Sequence, residues 1–447
     1  MKLKLLLGFG ILSFPFAVFS QVNVVGTDKV TEVSPPSNFN TGLNTIYVVR
    51  NTEGCSLVYK AKNTSGGGYT TQVQRFLGGE NGGFQDVTDL EPSASSVTVP
   101  LTSDDAGYRF IEGSYAFTCW VVNYANHNVS ISGITPEVDC DHTELKLSGS
   151  NLEPIVYYSV PPSSIELTIN RTFNVDYTNQ EFNDEAREYE YVNENRNLTL
   201  QNSSLYISAP AYCRTAFIVS GDQFLSDWGI PITYESEEIE PVAVACRTFA
   251  EQEKTSEEGS NIINGDKSGD VLGGSAVAKI TFSAYTTDAV KNYYRWQVSD
   301  YSDFQTVLKE PSSKTFTDEF STEGTFYVRF ICADDDNLCE AASEKDYVVT
   351  IGASALECPN AFSPNGDGVN DEWKVSYYSI IEFHCEIFNR NGQLLYKSDD
   401  ISKGWDGTWH GKPVKSGVYY YVINATGADG KKYKKSGDIN IINSIIN

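Results

Sequence analysis

The chain reads as an all-β protein of tandem Ig-like β-sandwich domains, and three observations predict this. Short runs of alternating apolar and polar residues recur along its 447 residues, separated by turn formers. No segment keeps a helical apolar period for more than two turns. Tyr (27), Phe (23) and Gly (35) are frequent while Met1 is the sole methionine, a usage common in β-rich extracellular chains. The length suits two to four domains.

Residues 1–20 have the form of a Sec signal peptide. Lys2 and Lys4 precede an apolar run from Leu5 to about Phe19, and small residues near its end put cleavage before Gln21. The run is too short for a membrane-spanning helix, and no Cys follows it to carry a lipid. No later stretch approaches eighteen apolar residues.

The first sandwich is expected over 22–148, with strands at Thr45–Arg50, Cys55–Ala61, Gln72–Phe76, Ser96–Leu101, Tyr108–Phe110, Ala116–Val122 and Ser130–Ile134. Gly66–Gly68 and Gly78–Gly83 mark turns; neither precedes a helix or a Gly-Lys-Ser/Thr ending, so neither is a phosphate loop. A second sandwich covers 149–250, with strands at Ile155–Val160, Ile165–Asn170, Glu188–Val192, Leu198–Gln201, Leu205–Ala209 and Ala216–Ser220. Residues 251–274 are polar and acidic and read as a linker or long exposed loop. In a third domain, 275–354, Tyr294, Trp296 and Val298 share one strand face, and Gly324 turns the chain before Thr325–Cys332. The last domain, 356–447, has hairpin turns at Asn391-Gly392 and Asp429-Gly430. Its apolar run Val418–Ile423 reads as a central strand covered on both faces.

The net charge of −26 argues against nucleic acid, whose phosphates it would repel, and otherwise serves solubility. From Glu357 onward eleven acidic residues face ten basic ones, so the excess acid lies upstream. Nine cysteines in an exported chain suggest disulfides with one thiol left over. Strand alternation and segment membership suggest Cys332–Cys339 across a polar turn, Cys358–Cys385, and Cys213–Cys246. Cys55, Cys119 and Cys140 then remain for the first segment, one of them free. No CxxC spacing supports a metal site.

Asn365, Asp367 and Asp371 stand among Gly366 and Gly368 in an EF-hand-like order. Ser363 replaces the first carboxylate, however, and Lys374 stands where the bidentate Glu belongs. Weak calcium binding and a rigid Asx turn both remain open. Trp405-Asp406-Gly407 reads as turn and core more readily than as a ligand site. Lys431, Lys432, Lys434 and Lys435 form either a solvated strand or a recognition patch. Catalytic residues are not expected. The four histidines (His127, His142, His384, His410) sit in no HExxH, and GxSxG is missing. Cys140-Asp141-His142 lacks a visible oxyanion hole, and the acids Glu237, Glu238 and Glu240 have no known separation in space.

Three ordered blocks close the chain. Pro359–Trp373 reads PNAFSPNGDGVNDEW, bringing Pro359, Asn360, Phe362, Pro364, Asn365, Gly366, Asp367, Gly368, Asn370 and Asp371. Gly404–Tyr421 brings Trp405, Asp406, Gly407, Gly417 and Tyr419, and GADGKKYKKSGDINII follows. Together they resemble the type B sorting domain of the type IX secretion system, the gliding motility-associated C-terminal domain of Bacteroidota. Residues 275–354 resemble the PKD-like or Ig-like module that often precedes it. The resemblance implies Sec export to the periplasm, then passage by the type IX machinery, the expected partner, to the medium or outer cell surface. A non-enzymatic adhesin or recognition protein with a glycan or protein ligand is the expected cargo. A hydrolase, or a structural part of the gliding or secretion apparatus, is the alternative.

Overall fold

A computed structural model describes residues 21–61, 71–79, 82–88, 90, 92, 93, 95–253 and 272–442; the signal peptide and Gly66–Gly68 lie outside them. Among the described residues, helix is confined to a 3-10 turn, Tyr124–His127, and one short α-helix, Gln223–Asp227. Among the described residues no helix is long and apolar enough to cross a membrane.

Two sheets form the first domain. One orders Val22–Val25, Ser56–Lys60, Ser96–Pro100 and Pro92–Ser93; the other orders Val30–Val33, Thr45–Val49, Tyr115–Asn123, Ala106–Glu112, Gln72–Phe76 and Gln85–Asp86. Thr45–Val49 (TIYVV) is buried at every position and pairs in parallel with Cys119–Asn123. Alternation explains this. Tyr47 and Val49 fill the sandwich, while Ile46 and Val48 turn outward with Phe76 and Trp120 into a core shared with the second domain.

That second domain starts earlier than the sequence suggests. The hairpin Ser130–Val138/Thr143–Ser150 is one unit, Ser148 opposing Gly133, and it continues into Ser204–Ile207, so a cut at 148 would sever it. Facing it are Glu188–Thr199, Thr172–Asn183, Ile218–Gly221 and Ile232–Glu235, with Phe173, Val175, Tyr177, Phe217 and Val219 inward. The third domain also starts earlier. Cys246–Gln252 pairs with Ala278–Thr286, which pairs with Thr315–Phe320. The second sheet of this domain holds Leu272–Gly274, Tyr347–Ile351, Gly324–Ala333 and Tyr293–Ser299. Residues 251–252 and 272–274 are thus strand residues of this one sandwich, and 254–271, the rest of the acidic stretch, lie outside the described residues. Trp296 is fully buried against Phe282, Phe316 and Phe330.

The last domain is a five-stranded sheet ordered Ala361–Phe362, Lys432–Ile441, Gly417–Gly427, Ile380–Phe388 and Leu394–Ser398. Its inner face (Tyr419, Ile423, Cys385, Ile387, Ile439) is covered by Trp373, Trp405 and the short pairs Ala355–Glu357/Ser376–Tyr378 and Thr408–Trp409/Lys412–Pro413. The outer face is open. Val418, Tyr420 and Val422 are 45%, 46% and 42% exposed, which corrects the expectation of a strand covered on both sides. An uninterrupted apolar run does not show which of its faces finds a partner.

Candidate functional site

The three terminal blocks meet at one corner of this sheet. Ala361–Phe362 runs parallel to the last strand, Phe362 opposite Ile441, and the Asn360 carbonyl accepts from the Asn440 amide at 2.9 Å. Phe362 packs on Trp405, and Trp405 on Tyr419, with ring centroids 5.6 and 5.2 Å apart. Trp405 and Trp373 exchange backbone hydrogen bonds, the Trp373 indole donates to the Pro359 carbonyl (2.7 Å) and the Trp405 indole to the Thr408 carbonyl (2.9 Å). Asp406 accepts from the Thr408 amide and hydroxyl, both at 2.8 Å. Gly407 adopts φ +73°, and a Cβ there would press on Pro364 and Phe362. Gly417 opens the central strand, and the Tyr419 hydroxyl donates to the Lys415 carbonyl.

Between these parts lies the acidic loop. One Asp371 oxygen accepts from the amides of Asn365 (2.9 Å) and Gly366 (2.7 Å), the other from that of Gly368 (2.7 Å). These donors, Gly366 and Gly368 foremost, hold its carboxyl below the ordinary range. Asp367 accepts from the Val369 amide, Asn365 from that of Asp367, and the Asn370 carbonyl receives the Ser363 amide. The second Asp367 oxygen accepts from the Asn365 side-chain amide (2.9 Å), so these oxygens are engaged with N–H groups of the loop itself, as in an Asx turn. Among the described residues no cluster of three or more His, Cys, Asp or Glu is placed to hold a metal. Lys435 donates to the Leu356 carbonyl, whereas Lys432 and Lys434 are exposed on the outer face.

The cysteine pairings change. Cys339 bonds to Cys140, with Cα atoms 5.4 Å apart, and not to Cys332. The expected hairpin pairing fails because Cys140, in the Asp139–His142 turn of the second domain, reaches Cys339 across the joint. Cys213 is a buried thiol and does not meet Cys246, which belongs to the third domain. Cys358 and Cys385 are likewise thiols: Cys358 contacts the Tyr421 hydroxyl, and burial pushes Cys385 up to about 12. Cys140, being cross-linked, offers no thiolate beside His142, and that ring pairs with Asp139 at 2.9 Å. Glu238 and Glu240 both turn to Arg214.

Sequence reasoning missed two features. Arg171 and Asp222, 2% and 0% exposed, form an ion pair at the joint of the first two domains. The Tyr124 hydroxyl donates to the same carboxylate (3.0 Å), and Arg171 also donates to the carbonyls of Glu153 and His127. The second is an open cavity of about 780 Å³ between those domains, bordered by Gly82, Phe84, Tyr158, Pro161, Ser164 and Glu166. No motif marks either, because their members lie far apart in sequence.

Residues 356–441 match the CHU_C type IX secretion signal domain, and residues 133–236 match the fibronectin type III domain. No curated protein matches the chain. Among solved structures, Sidekick-1 immunoglobulin domains 1-5 are 13% identical over 84% of this chain and 74% of that one, at TM-score 0.25. Dimeric latent PorU from Porphyromonas gingivalis is 10% identical over 73% of this chain and 35% of that one, at TM-score 0.15. The chain spans about a third of the latter. The corner built by the three terminal blocks is therefore the core of a type IX secretion signal domain, carried behind a fibronectin type III domain and marking this chain for type IX export.

Proposed function

We propose that the chain is a non-enzymatic surface or secreted protein: Sec delivers it to the periplasm, its last domain addresses it to the type IX machinery, and its upstream sandwiches recognise a glycan or protein. The family match over 356–441 supports the export part of this reading. The motif residues are spent on their own turn and core, so a partner is left the outer sheet face, where Val418, Tyr420 and Val422 lie opposite Asn440, Asp438 and Ser436, and Lys434 and Lys432 follow further along, opposite Asn424 and Thr426. Cells producing the full chain are compared with cells producing a chain truncated after Ser354. The full chain is expected at the surface or in the medium and the truncated one in the periplasm; equal export of both refutes the reading. Lys432→Glu with Lys434→Glu then tests the basic rim, with normal export discounting it.

For recognition, the cavity beside Tyr158 has the size of a ligand site, with an aromatic ring, a carboxylate and backbone groups of glycine. The Tyr158 hydroxyl donates to Glu166 at 3.1 Å. A glycan and matrix-protein array probed with the full chain is expected to give a hit that Tyr158→Ala weakens about tenfold or more. A hit indifferent to that substitution moves the site elsewhere.

A further inference from the structure

We propose that Cys246 and Cys332 are the two halves of a disulfide that closes the third domain across its sheets. Cys246 begins Cys246–Gln252 in the three-stranded sheet, and Cys332 lies near the end of Gly324–Ala333 in the sheet facing it. Both are buried, at 9% and 1% exposure, in the one core of that domain. The two sites are drawn together from both sides: Arg247, next to Cys246, pairs with Glu344, just beyond the Ala341 that lies opposite Cys332, and Lys314 donates to Thr286 while lying over the ring of Tyr294. The strands that carry them are held in register by Thr286 opposite Cys246 and Tyr294 opposite Cys332. Both are thiols in the structure, and two inward-facing sulfurs held at the same end of facing strands are placed to join.

The oxidant is itself a disulfide, either a dithiol oxidase of the export compartment or a small-molecule disulfide. One protein thiolate attacks an oxidant sulfur and expels the other as a thiol. The second protein thiol gives up its proton and attacks the mixed disulfide, so the Cys246–Cys332 bond forms and the oxidant leaves as two thiols. Two electrons and two protons pass to the oxidant. Because both sulfurs end up buried, the exchange belongs to folding, before the sheets close.

The consequence reaches beyond one domain. Cys332 and Cys339 flank one hairpin, and Cys339 is bonded to Cys140 of the second domain. With Cys332 bonded inward, that hairpin is cross-linked on both sides, and the tie between the domains is anchored in a domain that is itself closed.

The full chain is refolded from denaturant with mixed reduced and oxidised glutathione, its remaining thiols are alkylated, and unreduced peptides are read by mass spectrometry. A Cys246 peptide linked to a Cys332 peptide is expected, alongside Cys140–Cys339. The variant with Cys246→Ser and Cys332→Ser should keep Cys140–Cys339 but lose protease resistance in moderate urea by about tenfold or more. Both thiols alkylated, or Cys332 linked to Cys339, or Cys246 linked to Cys213, overturns the proposal. The test requires no export and stands whether or not the export reading does.

Discussion

At the scale of single residues, the conspicuous acids are structural. Asp371 holds three backbone N–H groups and its carboxyl is held below the ordinary range, chiefly by Gly366 and Gly368. A lowered folded pKa gives stability that is fully present above the unfolded value, about 3.9, and lost as pH falls through the folded one. Asp371→Asn is therefore expected to loosen residues 359–373 at pH 7, with the difference from wild type shrinking as both are acidified. Hydrogen exchange in that segment checks it. Buried charge follows other arithmetic. Arg171→Met leaves Asp222 without its partner at 0% exposure and should cost about 3–5 kcal/mol. Adding Asp222→Leu should restore part of the loss. Thermal unfolding of the three variants measures both effects.

Among the elements, the long hairpin Thr172–Asn183/Glu188–Thr199 outgrows its own domain. Its tip carries Phe182, itself packed on Tyr189, onto Phe249 and Tyr285 of the third domain, and Arg187 lies 4.7 Å over the Phe249 ring while pairing with Glu251. Gln180 and Tyr191 both donate to Asp288. With Cys140–Cys339, this gives the joint one covalent tie and one aromatic tie. Cys339→Ser alone should leave the joint closed, and Cys339→Ser with Phe249→Ala should open it. Small-angle scattering would register the increase in radius of gyration; no change in the double variant would show that the remaining polar contacts suffice. The strands were readable in the sequence because alternation is local. The destination of the hairpin tip was not, since exposed aromatics at a turn look the same whether or not a neighbour covers them.

For the whole molecule, the joints differ in kind. The first two domains share one apolar core, centred on Trp120, Tyr157 and Phe173. The third and last meet mainly through polar contacts, with Ala428 of the last domain also buried in the third domain's core: the Ser379 amide donates to the Ser275 hydroxyl (2.8 Å), and the Ser354 hydroxyl to Asp429 (2.7 Å). A shared core predicts joint unfolding, and a polar joint predicts independence. Trp120→Ala is expected to lower the unfolding temperature of the first two domains together and to leave the transition of the last domain in place. Calorimetry of the full chain checks it; separate shifts in the first two would mean the shared core does not couple them.

The β class, the export address and the turn-forming character of Asn365–Asp371 follow from the sequence alone, because each depends on residues close together in the chain. The domain boundaries near 130 and 246, the Cys140–Cys339 bond, the Arg171–Asp222 pair and the open outer face of the last sheet required the tertiary structure. Alternation assigns a side chain to one of two faces, but what covers that face is set by strands as many as 199 positions away.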